Sequence, residues 1–180
     1  MPASDEIPMT ASPELLQPTR YRTPTVFLFV LAASLAAIAT ALVSQYVFDM
    51  QPCAWCVLQR LIFLIIAAVS ALALWVRQPV VRAALGGIIV LLAASGISSA
   101  LYQHFVAAVA TSCRLSLAET VISGTLHLDT LLPSVFGIRV ACSAGATTLL
   151  GVPYEFWSLA AFALLIGALV RSAVQRPRSG

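Results

Sequence analysis

Cys53 and Cys56 carry the first chemistry in the chain. They close the stretch Pro52-Cys53-Ala54-Trp55-Cys56, which lies between two long apolar runs. A Cys-x-x-Cys pair is a redox or metal-binding signature. Here it stands where a membrane helix should begin. That position suits a dithiol working at the membrane–water boundary, within reach of something dissolved in lipid. Arg60 follows Cys56 by four residues. If a helix begins near Cys56, both side chains share one face. An arginine and a helix N-terminus each favour the thiolate, the form that does redox chemistry, which is a mechanism for an unusually acidic Cys56. Arg60 has a second reading, as a snorkelling anchor at the helix end. An arginine one turn inside a membrane helix is costly unless it faces an interior or polar site, which makes function the default.

Two further cysteines, Cys113 and Cys142, are separated by 28 residues and form no second Cys-x-x-Cys. Four thiolates could bind zinc, or form two structural disulfides. A three-residue step gives a disulfide little entropic stabilisation and favours exchange, which points Cys53 and Cys56 towards redox work. His104 follows Tyr102 and Gln103 near the end of an apolar run. It is either an interfacial side chain with one satisfied hydrogen bond or a hydrogen-bond partner for a polar head group beside Cys56. His127 reads as structural. Trp55, Tyr46, Tyr154 and Trp157 fall where an interfacial aromatic belt is expected. Asp49, Glu119, Asp129 and Glu155 show no paired-carboxylate spacing.

The elements that must position these groups are apolar. Of 180 residues, 60% are hydrophobic and 9% charged, against about 25% charged in ordinary soluble domains. No soluble core of this size hides so much apolar surface. The chain therefore reads as an all-α integral membrane protein of one compact domain. The net charge of +3 is spread over scattered arginines, with no lysine, and is not a nucleic-acid signal. Apolar segments run over about residues 26–48, 57–76, 83–110 and 154–170. A spanning helix needs about 20 residues. The second and fourth are tight fits: 16 uncharged residues separate Arg60 from Arg77, and 15 separate Glu155 from Arg171. Short connections make neighbours antiparallel and predict an up-down-up-down four-helix bundle. Small residues such as Ala36, Gly86 and Gly96 permit close helix approach in lipid.

Domain limits follow. Residues 1–25 are expected to form a proline-bearing, disordered tail, residues 26–171 the redox domain, and residues 172–180 a second tail. The long polar leader and the lack of an Ala-x-Ala site read the first segment as an anchor rather than a cleaved signal peptide. Seven arginines (Arg20, Arg22, Arg77, Arg82, Arg171, Arg176 and Arg178) fall on one side of the predicted topology. The positive-inside rule makes that side cytoplasmic, with both termini. Loops of about residues 49–56 and 111–153 then lie outside and carry all four cysteines. Thiols confined to an oxidising compartment read as disulfides. The long loop is expected to be irregular and mobile. A short helix over residues 115–123 either lies flat on the membrane or packs on the bundle.

The pattern resembles the DsbB family, the bacterial membrane thiol–quinone oxidoreductases. The residues that carry it are Pro52-Cys53-Ala54-Trp55-Cys56-Val57-Leu58-Gln59-Arg60, Tyr102-Gln103-His104, Cys113, Cys142, and Gly151-Val152-Pro153 running on to Trp157. The resemblance spans about residues 26–170. Many members have Glu just before the arginine; this chain has Gln59, which removes a possible partner for Arg60. The resemblance implies a location in the bacterial inner membrane and a relay through four catalytic cysteines. A periplasmic thioredoxin-fold oxidase, DsbA-like, attacks Cys113. Cys142 is released and attacks Cys53, and Cys56 is freed as a thiolate beside a quinone, with Arg60 stabilising the charge. Ubiquinone is the expected cofactor, with menaquinone as an alternative, and Arg60, His104 and Cys56 are its expected contacts. A vitamin K epoxide reductase-like enzyme is the first alternative, but there the Cys-x-x-Cys comes after the loop pair. A non-enzymatic scaffold with structural disulfides is the second.

Overall fold

The computed structural model describes residues 22–108, 117–141, 148–149 and 151–175. Cys113 and Cys142 lie outside these residues, as does most of the expected N-terminal tail. Four long helices dominate: α1 (Arg22–Val47), α2 (Ala54–Trp75), α3 (Pro79–Tyr102) and, last in the chain, α7 (Tyr154–Val174). All four are long and apolar enough to cross a membrane. Together they form the expected four-helix bundle. They pack as a ring in which α1 touches α2 and α7, and α3 touches the same two helices.

Local chemistry sets the ends. Pro52 precedes Cys53, whose extended backbone (φ −88°, ψ 170°) caps α2. The helix therefore starts two residues before Cys56, earlier than its apolar run suggests, because Ala54 and Trp55 are already buried in the first turn. Pro79 opens α3 at a first-turn position, where its missing N–H costs nothing. At its far end α3 widens into a π-helical turn, Gln103–Ala107. Such turns change which residues face inward and recur at functional sites.

The membrane core is built from Phe27, Phe63, Ile66, Ile89, Phe162 and Leu165. Phe63 of α2 stacks on Phe162 of α7, with centroids 4.0 Å apart and planes 4° from parallel. Gly96 makes that stack possible: a Cβ there would sit 2.5 Å from the Phe162 ring. Leu28, Leu64, Leu91 and Leu164 point outward, as a bilayer allows.

The described part of the long loop is a set of short, packed turns. They are α4 (Leu117–Glu119) with a π turn at Thr120–Thr125, α5 (Leu128–Leu131) and α6 (Pro133–Phe136). Of the two readings for the first of these, packing on the bundle is the one observed. Ala118 is buried against Cys53 and Trp55, and Ile122 against Val57 and Phe136. A two-residue antiparallel ribbon, β1 (Thr148–Leu149) and β2 (Val152–Pro153), leads into α7. Gly151 turns it at φ 79°, where a side chain would strain the backbone.

Candidate active site

The first turn of α2 brings the dithiol to the bundle's end. Cys53 is buried and Cys56 partly exposed, and their sulfurs lie 3.5 Å apart, hydrogen-bonded as a thiol pair. One turn deeper, Arg60 is 6% exposed. Its guanidinium donates to Gln45 Oε1 at 2.7 Å, to the Val135 carbonyl at 2.9 Å and to the Ala41 carbonyl at 3.2 Å. All three acceptors are neutral. A buried cation with only neutral partners is costly, and a nearby anion or electron-rich group offsets that cost.

Cys56 and Arg60 share the wall of one cavity of about 350 Å³ between α1, α2 and α7. Ala37, Ala41, Phe63 and Ala161 make its apolar sides; Thr40, Gln59, Tyr154, Trp157 and Ser158 complete it. A smaller hollow beside it is lined by Ser44, Gln51 and Pro52, and again by Cys56, Arg60 and Tyr154. The arrangement sets a sulfur nucleophile and a fixed positive charge against an apolar chamber.

Several side chains sit where sequence spacing did not place them. Gln103, the first residue of the π turn, donates to Cys56 Sγ at 3.3 Å and accepts from Gln59 Nε2 at 3.0 Å. Gln59 thus has a partner on α3 rather than Arg60. His104 lies in the π turn that follows α3, but its Nδ1 is 2.7 Å from Glu155 Oε1 and its ring packs edge-on against Phe156. It is not among the residues that line the cavity. Tyr154 and Trp157, expected as belt residues, do line it. Trp55 is buried beside Tyr102, with centroids 4.7 Å apart, rather than facing the interface. Gln45, Gln59 and Gln103 had no signal in spacing beyond being amides near apolar helix ends.

Among the described residues no group of three His, Cys, Asp or Glu side chains could hold a metal ion.

The fold and the dithiol define a class: four-helix membrane proteins of thiol redox chemistry. The family model for disulfide bond formation protein DsbB matches residues 22–171. The chain belongs to this family. Among its relatives is disulfide bond formation protein B of Cupriavidus metallidurans, 30% identical over 86% of this chain and 94% of the relative. Disulfide bond formation protein B 1 of Pseudomonas syringae pv. syringae is 33% identical over 80% of this chain and 85% of its own length. The counterpart in Burkholderia thailandensis is 30% identical over 78% of this chain and 83% of its own. The protein is therefore a redox enzyme of disulfide formation and a multi-pass protein of the bacterial inner membrane. Family membership also implies a periplasmic disulfide oxidase as partner.

Proposed function

We propose that this protein reoxidises a periplasmic thioredoxin-fold oxidase and passes the electrons to membrane quinone, with its cysteine loops periplasmic and its termini cytoplasmic. The observation that carries this reading is the single cavity wall shared by Cys56 and Arg60. Its volume of about 350 Å³ falls within the usual range for small-molecule sites, about 300–1,000 Å³. Apolar sides with a few polar groups at one end fit an aromatic dione on an isoprenoid tail. Arg60, Gln59 and Tyr154 would hold the ring, with Cys56 beside it. A bound quinone supplies a two-electron, two-proton acceptor. Ubiquinone is the first candidate, and menaquinone fits by the same chemistry.

The protein's own steps are thiol–disulfide exchanges. The partner's thiolate attacks Cys113 of a Cys113–Cys142 disulfide, and Cys142 leaves as a thiolate. Cys142 attacks Cys53 of the Cys53–Cys56 disulfide, and Cys56 leaves as a thiolate into the cavity wall. The partner's second thiol attacks the mixed disulfide, so the partner departs oxidised and Cys113 is freed. Cys113 then recaptures Cys142, leaving Cys53 and Cys56 as a dithiol. Loss of two electrons from that dithiol restores the Cys53–Cys56 bond. Arg60 stabilises the Cys56 thiolate through the cycle, and Pro52 with the α2 cap fixes the backbone at Cys53, the sulfur that exchanges with Cys142.

The test supplies ubiquinone and a reduced thioredoxin-fold partner to the purified protein in detergent and follows quinone absorbance. Partner-driven reduction is expected, and Cys113→Ser should abolish it. Turnover retained in Cys113→Ser, or none in the parent, overturns the relay.

A further inference from the structure

We propose that Gln103 is a positioning residue for the redox chemistry, its side-chain amide held N–H-first against Cys56 by Gln59. The proposal deepens the reading above, in which Cys56 leaves as a thiolate. Three observations carry it. Gln103 Nε2 lies 3.3 Å from Cys56 Sγ, as a donor. Gln103 Oε1 accepts from Gln59 Nε2 at 3.0 Å. Both amides are buried, at 3% exposure for Gln59 and 6% for Gln103.

An amide has two unlike ends. Turned one way it offers hydrogens to a sulfur anion; turned the other way it offers an oxygen that repels it. Inside the bundle there is little water to correct a wrong choice, so the orientation must be built in. Gln59 does this by occupying the Gln103 oxygen, which leaves the NH₂ end for Cys56. Its own place is set by the helix: it follows Cys56 by three residues and precedes Arg60, so it is anchored on the element that carries the dithiol. Gln103 comes from the end of the neighbouring helix α3, on the first residue of the π turn, and the next residue, His104, faces Glu155 instead. Cys56 is therefore approached from two sides. Arg60 supplies a full charge, and the Gln59–Gln103 pair an oriented dipole. A neutral donor adds to the stabilisation of the leaving sulfur without adding a second buried charge. Partners of this kind that orient a site's contacting groups are a large part of how redox and metal sites are tuned.

The experiment isolates Cys56 on a Cys53→Ser, Cys113→Ser, Cys142→Ser background in detergent and measures iodoacetamide alkylation against pH. Gln103→Met keeps the length and removes the donor. Gln59→Glu leaves Gln103 intact but presents it with a carboxylate that only accepts, so the amide turns round. Each is expected to slow alkylation at neutral pH by about tenfold or more, the usual scale for a hydrogen bond to a charged group, with the high-pH plateau unchanged. The plateau reports a folded, accessible site, so misfolding is seen as its loss. Neutral-pH rates equal to the parent's in either variant overturn the proposal. If a plateau is lost, Gln103→Glu on the same background decides: it must alkylate at least as slowly as expected for Gln103→Met, and a parental rate overturns the proposal. No quinone and no partner are present, so the outcome is separate from the identity of the electron acceptor.

Discussion

The Arg139 backbone N–H donates to the Pro52 carbonyl at 3.1 Å, clipping the long loop to the residue before Cys53. Ile138 and Val140, on either side, pack against the cluster of Cys53, Ala54 and Trp55. Two further ties hold the same stretch: Tyr46 Oη donates to the Ser134 carbonyl at 2.7 Å, and Arg60 to that of Val135 at 2.9 Å. Cys142 follows Arg139 by three residues, a covalent reach of at most about 10 Å. In the proposed relay, the clip would shorten the tether across which Cys142 has to reach Cys53.

Arg139→Pro removes the donor without touching a cysteine. The expected result is a two- to tenfold slower transfer from the partner to Cys53, about the factor one net hydrogen bond commands. Direct reoxidation of Cys53–Cys56 after reduction by dithiothreitol should keep its rate. Rapid acid quenching with thiol alkylation and gel analysis separates the two. Equal slowing of both would show that the clip is only structural.

Among the described residues, the hydrogen-bond acceptors of Arg60 are all neutral. Arg60→Met is expected to lower quinone reduction by about a hundredfold, the scale seen when one oriented stabiliser of developing charge is lost. Arg60→Lys should recover part of it, since a lysine keeps the charge but not the three-acceptor fork. A lysine variant as slow as the methionine variant would assign Arg60 to packing.

Gly96 admits the Phe162 ring. Gly96→Ala forces a contact no side chain tolerates, so the ring must move and break its stack on Phe63. A loss of about 1–3 kcal/mol is expected, as for other overpacked cores, read from unfolding in mixed micelles. Phe162→Leu in the same background should restore part of that loss.

His104 and Glu155 tie α3 to α7 beside Tyr154, a cavity-lining residue. His104→Ala strands a buried carboxylate and is expected to cost about 1–3 kcal/mol of stability. Quinone KM should rise several-fold through Tyr154, while Cys56 alkylation stays at the parent rate. Glu155→Gln retains a hydrogen-bonding group and should behave close to the parent. Loss of Cys56 alkylation in His104→Ala would instead tie His104 to the dithiol itself.

Much of this architecture was legible in the chain. Four apolar runs bounded by arginines, prolines and aromatics marked the helices, because a bilayer demands their length and composition. Cys53, Cys56 and Arg60 were legible because they fall within the cap and first two turns of one helix, where spacing determines facing. The amide pair was not. Gln59 and Gln103 are 44 residues apart, and their meeting depends on the register of α2 against α3 and on a π turn with no sequence signature. Glu155 and His104 are 51 residues apart and met for the same reason. Tyr154 and Trp157 look alike as belt residues and as cavity walls, since both roles place an aromatic ring at a helix end. Ala118 and Ile122 fit either a surface helix or a packed one, and the partner cluster on α2 decided between them.

In the proposed relay, electrons leave through Cys56 into the cavity it shares with Arg60. Anaerobic mixing of the pre-reduced protein with one equivalent of ubiquinone, followed by quinone absorbance and thiol counting, tests it most directly. Quinone absorbance is expected to fall in step with disappearance of the Cys53 and Cys56 thiols, with neither change in Cys56→Ser. Quinone reduction at the parent rate in Cys56→Ser would contradict it.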